Sequence, residues 1–189
     1  MQELVLQVSA SGNHIKEYRT ARYLPTTKSY MVSDDKEGTV SLTDLVLQEV
    51  HTLQELHIGL KAEKEEITPI EVSAAIVSKL CNLKSLSLRN CIITGGSIAD
   101  CISTDLKVLV LNGCMGDTTG LIEKIVSLKS SLVVLELGNL QFSDKIDLDL
   151  SEFKELRSIK LYDVLLSEQS ILPPPGVVKS TFYHSSSSY

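Results

Sequence analysis

Four cysteines, four histidines and two glycine-rich turns are the residues of this chain whose types could carry out chemistry. A catalytic thiolate needs a lowered pKa and a histidine in reach, whereas Cys91 and Cys114 lie in stretches that contain none of His14, His51, His57 and His184. Structural zinc would show paired ligands at short spacing. Cys81, Cys91, Cys101 and Cys114 form no C-x-x-C pair. A phosphate cradle ends its glycine loop in Lys-Ser/Thr, and neither Gly95-Gly96 nor the turn at Gly113 and Gly116 is followed by one. No nucleophile, acid–base pair or metal cluster is assembled, so the expectation is a non-enzymatic protein with no catalytic residue, no cofactor and no metal.

The spacing of the leucines explains where those cysteines sit. Residues 83–91, 106–114, 132–140 and 156–164 each place apolar side chains at the first, fourth, sixth and ninth positions, and their starts lie 23, 26 and 24 residues apart. A period in this range with an L-x-x-L-x-L-x-x-N/C core is the signature of a leucine-rich repeat, in which each unit gives one strand to a curved parallel sheet. The predicted fold is therefore α/β, a horseshoe solenoid with a concave parallel sheet and convex helices. Cys91 and Cys114 fall on the ninth position, where a buried thiol or Asn meets the strand-to-turn bend; Leu140 and Val164 replace them further along.

Stepping the period outward predicts seven or eight units over residues 1–183, with strands starting near 1, 27, 53, 83, 106, 132, 156 and 178 and a Ser-rich tail at 184–189. In the last strand Thr181 and Tyr183 take the core slots. Residues 42–50 fit the strand template too, but begin only 11 residues before Leu53. Two parallel strands need a crossover of a dozen or more residues between them, so 41–50 reads as a helix, with Leu42 as strand and Leu53 as helix the competing register. Thr68-Pro69-Ile70-Glu71 combines a capping hydroxyl, Pro at the first helical position and Glu at the third, predicting a helix with Val72, Ala75, Ile76 and Leu80 facing inward. Residues 95–102 have room for two to three turns. Asp117 or Thr118 opens a further helix carrying Leu121, Ile122, Ile125, Val126 and Leu128, and a shorter or irregular return is expected over 144–155.

Residues 83–102, LKSLSLRNCIITGGSIADCI, and 106–128, with Asn112-Gly113-Cys114 in the turn, resemble the ribonuclease-inhibitor-like class of leucine-rich repeats. The mix of short and long units is similar to the C-terminal repeats of NACHT-type (NLR) innate immune receptors. That resemblance implies a ligand-sensing or autoinhibitory interaction scaffold in the cytoplasm. The alternative is the substrate-recognition repeats of an F-box ubiquitin ligase. No NACHT ATPase segment, Walker motif or F-box accompanies the repeats, and Met1 falls on the first core slot with no capping element before it, as expected of a fragment.

Strand alternation sends the third, fifth and seventh positions to the concave face. The rows are Glu55, Ser85, Val108, Val134 and Ser158; His57, Ser87, Val110, Glu136 and Lys160; and Gly59, Arg89, Asn112, Gly138 and Tyr162. Val108, Val110 and Val134 are expected to form an exposed apolar spot rimmed by Arg89, Glu136, Lys160 and Tyr162, an interface-like pattern for a protein partner. Glu136 and Lys160 read as a cross-strand ion pair. A net charge of −6 opposes a nucleic-acid surface, no apolar run is long enough to span a membrane, and the absence of a signal-peptide pattern agrees with a reducing compartment.

Overall fold

A computed structural model describes residues 3–8, 20–24, 29–33, 54–60, 69–142, 145–164, 167, 177 and 179–183. The strands in chain order are β1 (Glu3–Val8), β2 (Thr20–Leu24), β3 (Ser29–Ser33), β4 (Glu55–Leu60), β5 (Ile70–Ser73), β6 (Ser85–Arg89), β7 (Cys91–Ser97), β8 (Val108–Asn112), β9 (Met115–Asp117), β10 (Val134–Gly138), β11 (Ser158–Tyr162) and β12 (Lys179–Tyr183). Nine form one sheet in the order β12-β11-β10-β8-β6-β4-β1-β3-β2, and β5, β7 and β9 form a second. Every pairing is parallel except β2 with β3. Helical structure among the described residues is short: Ala74–Val77, a 3-10 turn at Ile98–Cys101, and Leu121–Ser127. The chain is thus α/β in character, with parallel sheets and few helices.

The template strings become strands because period-two alternation lets one sheet face bury its leucines. The first, fourth and sixth positions, Leu83, Leu86 and Leu88 and their equivalents through Leu156, Ile159 and Leu161, are all buried. Each strand start is locked by the same pair of bonds. The carbonyls of Gln54, Lys84, Lys107 and Val133 each accept two successive N–H groups from the next strand, at 2.7 to 3.2 Å. The strand ends share a second device: Asn90, Gly113, Asn139 and Asp163, the eighth position of each string, are left-handed with φ of 51° to 63°. Only Gly, and less readily Asn and Asp, adopt this conformation at low cost. It turns the chain out of the sheet while the N–H groups of Asn90, Gly113 and Asn139 still reach the carbonyls of Asn112, Gly138 and Tyr162 on the next strand.

The return segments depart from expectation. Thr68-Pro69-Ile70-Glu71 does not open a helix; Ile70–Ser73 is strand β5, paired with Cys91–Thr94 of β7. Here the Ile-Glu-Val-Ser alternation, with Val72 buried and Glu71 exposed, outweighs the capping pattern. The helix starts at Ala74; Val72 and Leu80 are buried and Ile76 packs against the core as expected, whereas Ala75 is exposed and Ala74 and Val77 are buried. Residues 95–102 give one 3-10 turn, closed by a capping box in which Ser97 Oγ accepts from Ala99 N and Asp100 Oδ2 accepts from Ser97 N. The return segments therefore form a small parallel sheet with short helices rather than a helical layer. Leu121, Ile125 and Leu128 are buried as expected, whereas Val126 is exposed. Residues 145–156 carry no helix, in line with an irregular return.

Two further corrections concern the ends. The period places the unit at 1 outermost, but β1 lies between β4 and β3. Its register with β4, Leu4 opposite Leu56 and Leu6 opposite Ile58, is the one the template predicts. Its place differs because β2 and β3, separated only by residues 25–28, pair antiparallel as neighbours so short a connection can join. At the other end β12 pairs one residue earlier than predicted: Ser180 and Phe182, not Thr181 and Tyr183, oppose Ile159 and Leu161, and Val177 packs against the core. The predictions for residues 42–50 and the tail at 184–189 lie outside the described residues.

Candidate functional site

The first two predicted rows exist as drawn, and the third does so without Gly59, because β4 and β6 pair only from Glu55–Ser85 to Ile58–Leu88. Glu55, Ser85, Val108, Val134 and Ser158 are successive partners across β4, β6, β8, β10 and β11, as are His57, Ser87, Val110, Glu136 and Lys160. Arg89, Asn112, Gly138 and Tyr162 likewise face one another in turn. The structure corrects their surroundings. Val108 and Val134 are partly exposed, but Val110 is only 7% exposed, and Glu136 is more deeply buried at 6%.

The cause is a network that links four strands. Arg89 Nη1 stands 2.9 Å from Glu136 Oε1, crossing from β6 to β10 over β8. Two strand spacings are roughly 10 Å, a span that a long arginine and a glutamate reaching toward each other can close. Tyr162 Oη donates to the same carboxylate oxygen at 2.7 Å, and Lys160 Nζ lies 3.5 Å from Oε2. Asn112 Nδ2 donates to Tyr162 Oη at 2.7 Å, and Asn139 Nδ2 donates to Asn112 Oδ1 at 3.0 Å. The Glu136–Lys160 pair was readable from the rows; Arg89 and Tyr162 as partners were not.

Gly138 makes the arrangement possible. A Cβ at this position would stand 2.6 Å from Cδ2 and Cζ of Tyr162 and closer still to Cε2, so the tyrosine ring lies flat over the bare glycine and its hydroxyl reaches back to β10 and β8. A glycine facing an aromatic residue in the seventh row is the sequence signal for this contact.

Glu136 is buried, which by itself pushes its carboxyl up, yet the bonds from Tyr162 and Arg89 and the charges of Arg89 and Lys160 hold it below the ordinary value. Tyr162 moves the other way, to about 12, through burial and then its bond to Glu136. A folded value above the unfolded one stabilises fully below pH about 10 and loses that contribution as pH rises toward about 12. Spectrophotometric titration is therefore expected to show a late-ionising tyrosine accompanied by alkaline loss of stability, both absent in Tyr162→Phe. Equal alkaline profiles for the two proteins would contradict the network.

Three of the four cysteines are buried. Cys91 and Cys114 are buried at the ninth position, and Cys114 Sγ bonds the Leu88 carbonyl of the preceding strand at 3.3 Å. The hydrogen bond with Cys114 and burial push the Cys91 thiol far up, and burial with the Asp100 charge pushes Cys101 to about 12. Cys81 is exposed. Among the described residues no three His, Cys, Asp or Glu side chains cluster as metal ligands, and no helix is long and apolar enough to cross a membrane. A groove of about 780 Å³ lies on the side away from the rows, bounded by Ala75, Ser78, Gly95, Ala99, Asp100 and Lys124 among others.

Comparison with known proteins gives one relationship. The chain is 24% identical over 177 residues to tubulin-specific chaperone E of Danio rerio, an alignment covering 94% of this chain and 32% of that protein. The chain thus spans about a third of the length of that curated relative. No family model and no solved structure matches it.

Proposed function

We propose that the chain is a leucine-rich-repeat solenoid that acts as a non-enzymatic protein-binding scaffold, with the outward face of β4, β6, β8, β10 and β11 as its concave contact surface. The observation that carries this reading is the unbroken parallel register of those five strands. It brings Arg89, Val108, Val134, Glu136, Lys160 and Tyr162, drawn from separate stretches of sequence, into adjacent rows on one sheet. The same residues offer little for catalysis: Ser85 and Ser87 are nearly closed to solvent, and Glu136 is consumed by its own partners. The strand starts near 53, 83, 106, 132 and 156, with 177 in place of 178, are its repeat units.

The partner we propose is tubulin, after which the zebrafish chaperone is named. Placement in an NLR-type receptor or an F-box ligase rests on sequence resemblance alone, as does a cytoplasmic location. Val110 and Tyr162 are poor probes of the face, the one buried and the other holding Glu136. Val108→Glu with Val134→Glu alters the exposed apolar pair and leaves the network intact. Purified tubulin heterodimer is expected to bind the immobilised chain and to bind the double variant at least tenfold more weakly, a change equivalent to about 1.4 kcal/mol. Undiminished binding by the variant would remove this face from the interaction, and no binding to the parent chain would remove tubulin.

A further inference from the structure

The face is basic although the chain is acidic. The sequence holds 24 acidic and 18 basic residues. Yet the outward positions of β4, β6, β8, β10 and β11, with the residue just before each strand, carry Lys84, Arg89, Lys107, Arg157 and Lys160 against Glu55 and Glu136. Lys84 and Arg157 meet Asp105 and Glu155 at 3.2 and 3.6 Å. Those acids are themselves exposed, and such surface pairs are weak and readily exchanged. Lys107 makes no ion pair among the described residues.

The centre is built rather than incidental. Glu136 is buried and brings two cations to one point, but its single charge neutralises only one of them. Arg89 has five N–H donors and Lys160 three; their side chains remain 41% and 51% exposed while each reaches the same carboxylate. Both cations stay partly open to solvent, held in place by an anchor that a flexible surface pair lacks. Charge-assisted bonds from such preorganised cations to a carboxylate are the strong kind.

We infer that this face recognises an acidic segment of its protein partner, with Arg89 and Lys160 receiving side-chain carboxylates and Lys84, Lys107 and Arg157 drawing the rest of the segment along the edge of the sheet. The inference rests on the protein-binding reading above. A peptide fits better than a nucleic acid: the chain as a whole repels a polyanion, the buried Glu136 carboxylate lies beside both cations, and Val108 and Val134 offer apolar contact between them.

The test is fluorescence anisotropy with labelled octaglutamate, compared with a thymidine oligonucleotide of equal charge. Octaglutamate is expected to bind at low salt and to weaken as salt rises. Lys160→Gln, which leaves the Arg89 and Tyr162 bonds to Glu136 in place, should weaken it about threefold. The triple variant Arg89→Gln, Glu136→Gln, Lys160→Gln, which strands no buried charge, should weaken it about tenfold. Glu136→Gln alone removes the anchor and keeps both cations, so it should weaken binding about threefold; a face acting by net positive charge without preorganisation would bind more tightly instead. No octaglutamate binding, tighter binding by Glu136→Gln, or equal oligonucleotide binding with the same variant dependence overturns the inference, and Lys160→Gln decides should the triple variant not fold. If tubulin binding is lost on changing the valines but indifferent to these charges, the protein-binding reading survives and acidic recognition falls.

Discussion

Phe153→Ala is expected to destabilise the chain by about 3–5 kcal/mol, the usual cost of emptying a fully buried phenylalanine site. Phe153 is the largest of the fully buried side chains among the described residues. It stands in a return segment without a helix, where Ile146, Leu148 and Leu150 turn inward and Lys145, Asp147, Asp149 and Ser151 face solvent. The preceding unit fills the corresponding space with Leu121, Ile125 and Leu128 from its helix. The irregular return turns in Ile146, Leu148 and Leu150 without a helix to stack them, and the aromatic ring adds to their volume. Bonds from Phe153 N to Leu150 O and from Leu156 N to Phe153 O hold the ring between the return and the next strand, so collapse of the cavity is resisted by both sides. Phe153→Leu retains most of the apolar volume and should cost less than about 1.5 kcal/mol. Urea unfolding of the two variants checks this; a loss below about 1 kcal/mol in Phe153→Ala would mean that the return segment repacks freely.

The same segment shows what the leucine spacing can and cannot reveal. Inward positions of the large sheet were readable because alternation and period act together: a slip by one residue would expose Leu86, Leu88 and their equivalents at once. Returns obey no such double constraint. At Thr68-Pro69-Ile70-Glu71 a capping pattern and a strand alternation overlap, and the choice fell to pairing with Cys91–Thr94, which no local pattern announces. The position of β1 beside β4 is likewise decided by which partner the β2–β3 pair leaves available. The left-handed turn at Asn90, Gly113, Asn139 and Asp163 was legible in principle, since the eighth position holds only Asn, Gly or Asp in all four strings; the stronger leucine pattern masks it.

For the face, the rows were legible and the depth of their side chains was not. Alternation places Val110 and Glu136 outward, and both do leave the sheet on that side, yet both end up covered. The covering comes from Arg89 reaching past one strand and from Tyr162 leaning over Gly138. Nearest-neighbour pairing finds Glu136 with Lys160 and misses a partner two strands away. Side-chain length and the missing Cβ of a neighbour are the physical quantities that row analysis omits.

The network makes a second prediction with an unusual sign. In the parent chain the bonds and charges of Tyr162, Arg89 and Lys160 overcome burial and hold Glu136 below its ordinary value. Such a group contributes stability above its unfolded pKa of about 4.3 and loses it as pH falls through the folded value. Removing both charges while keeping the apolar length of the side chains, Arg89→Met with Lys160→Met, leaves the carboxylate covered with the Tyr162 bond alone, so desolvation prevails and the folded pKa rises above the unfolded one. The sign then reverses: the variant loses stability as pH rises from about 4.3 through the raised value, a range in which the parent is insensitive to this group. At neutral pH the stranded charge should cost about 2–4 kcal/mol. Adding Glu136→Gln to the pair removes that charge and should recover most of the loss at neutral pH while doing little at pH about 4. Urea midpoints for the parent, double and triple variants across this range decide the matter. Parallel pH profiles for parent and double variant would show that Glu136 does not depend on Arg89 and Lys160 for its ionisation, and recovery by Gln at neutral pH alone would show that it does.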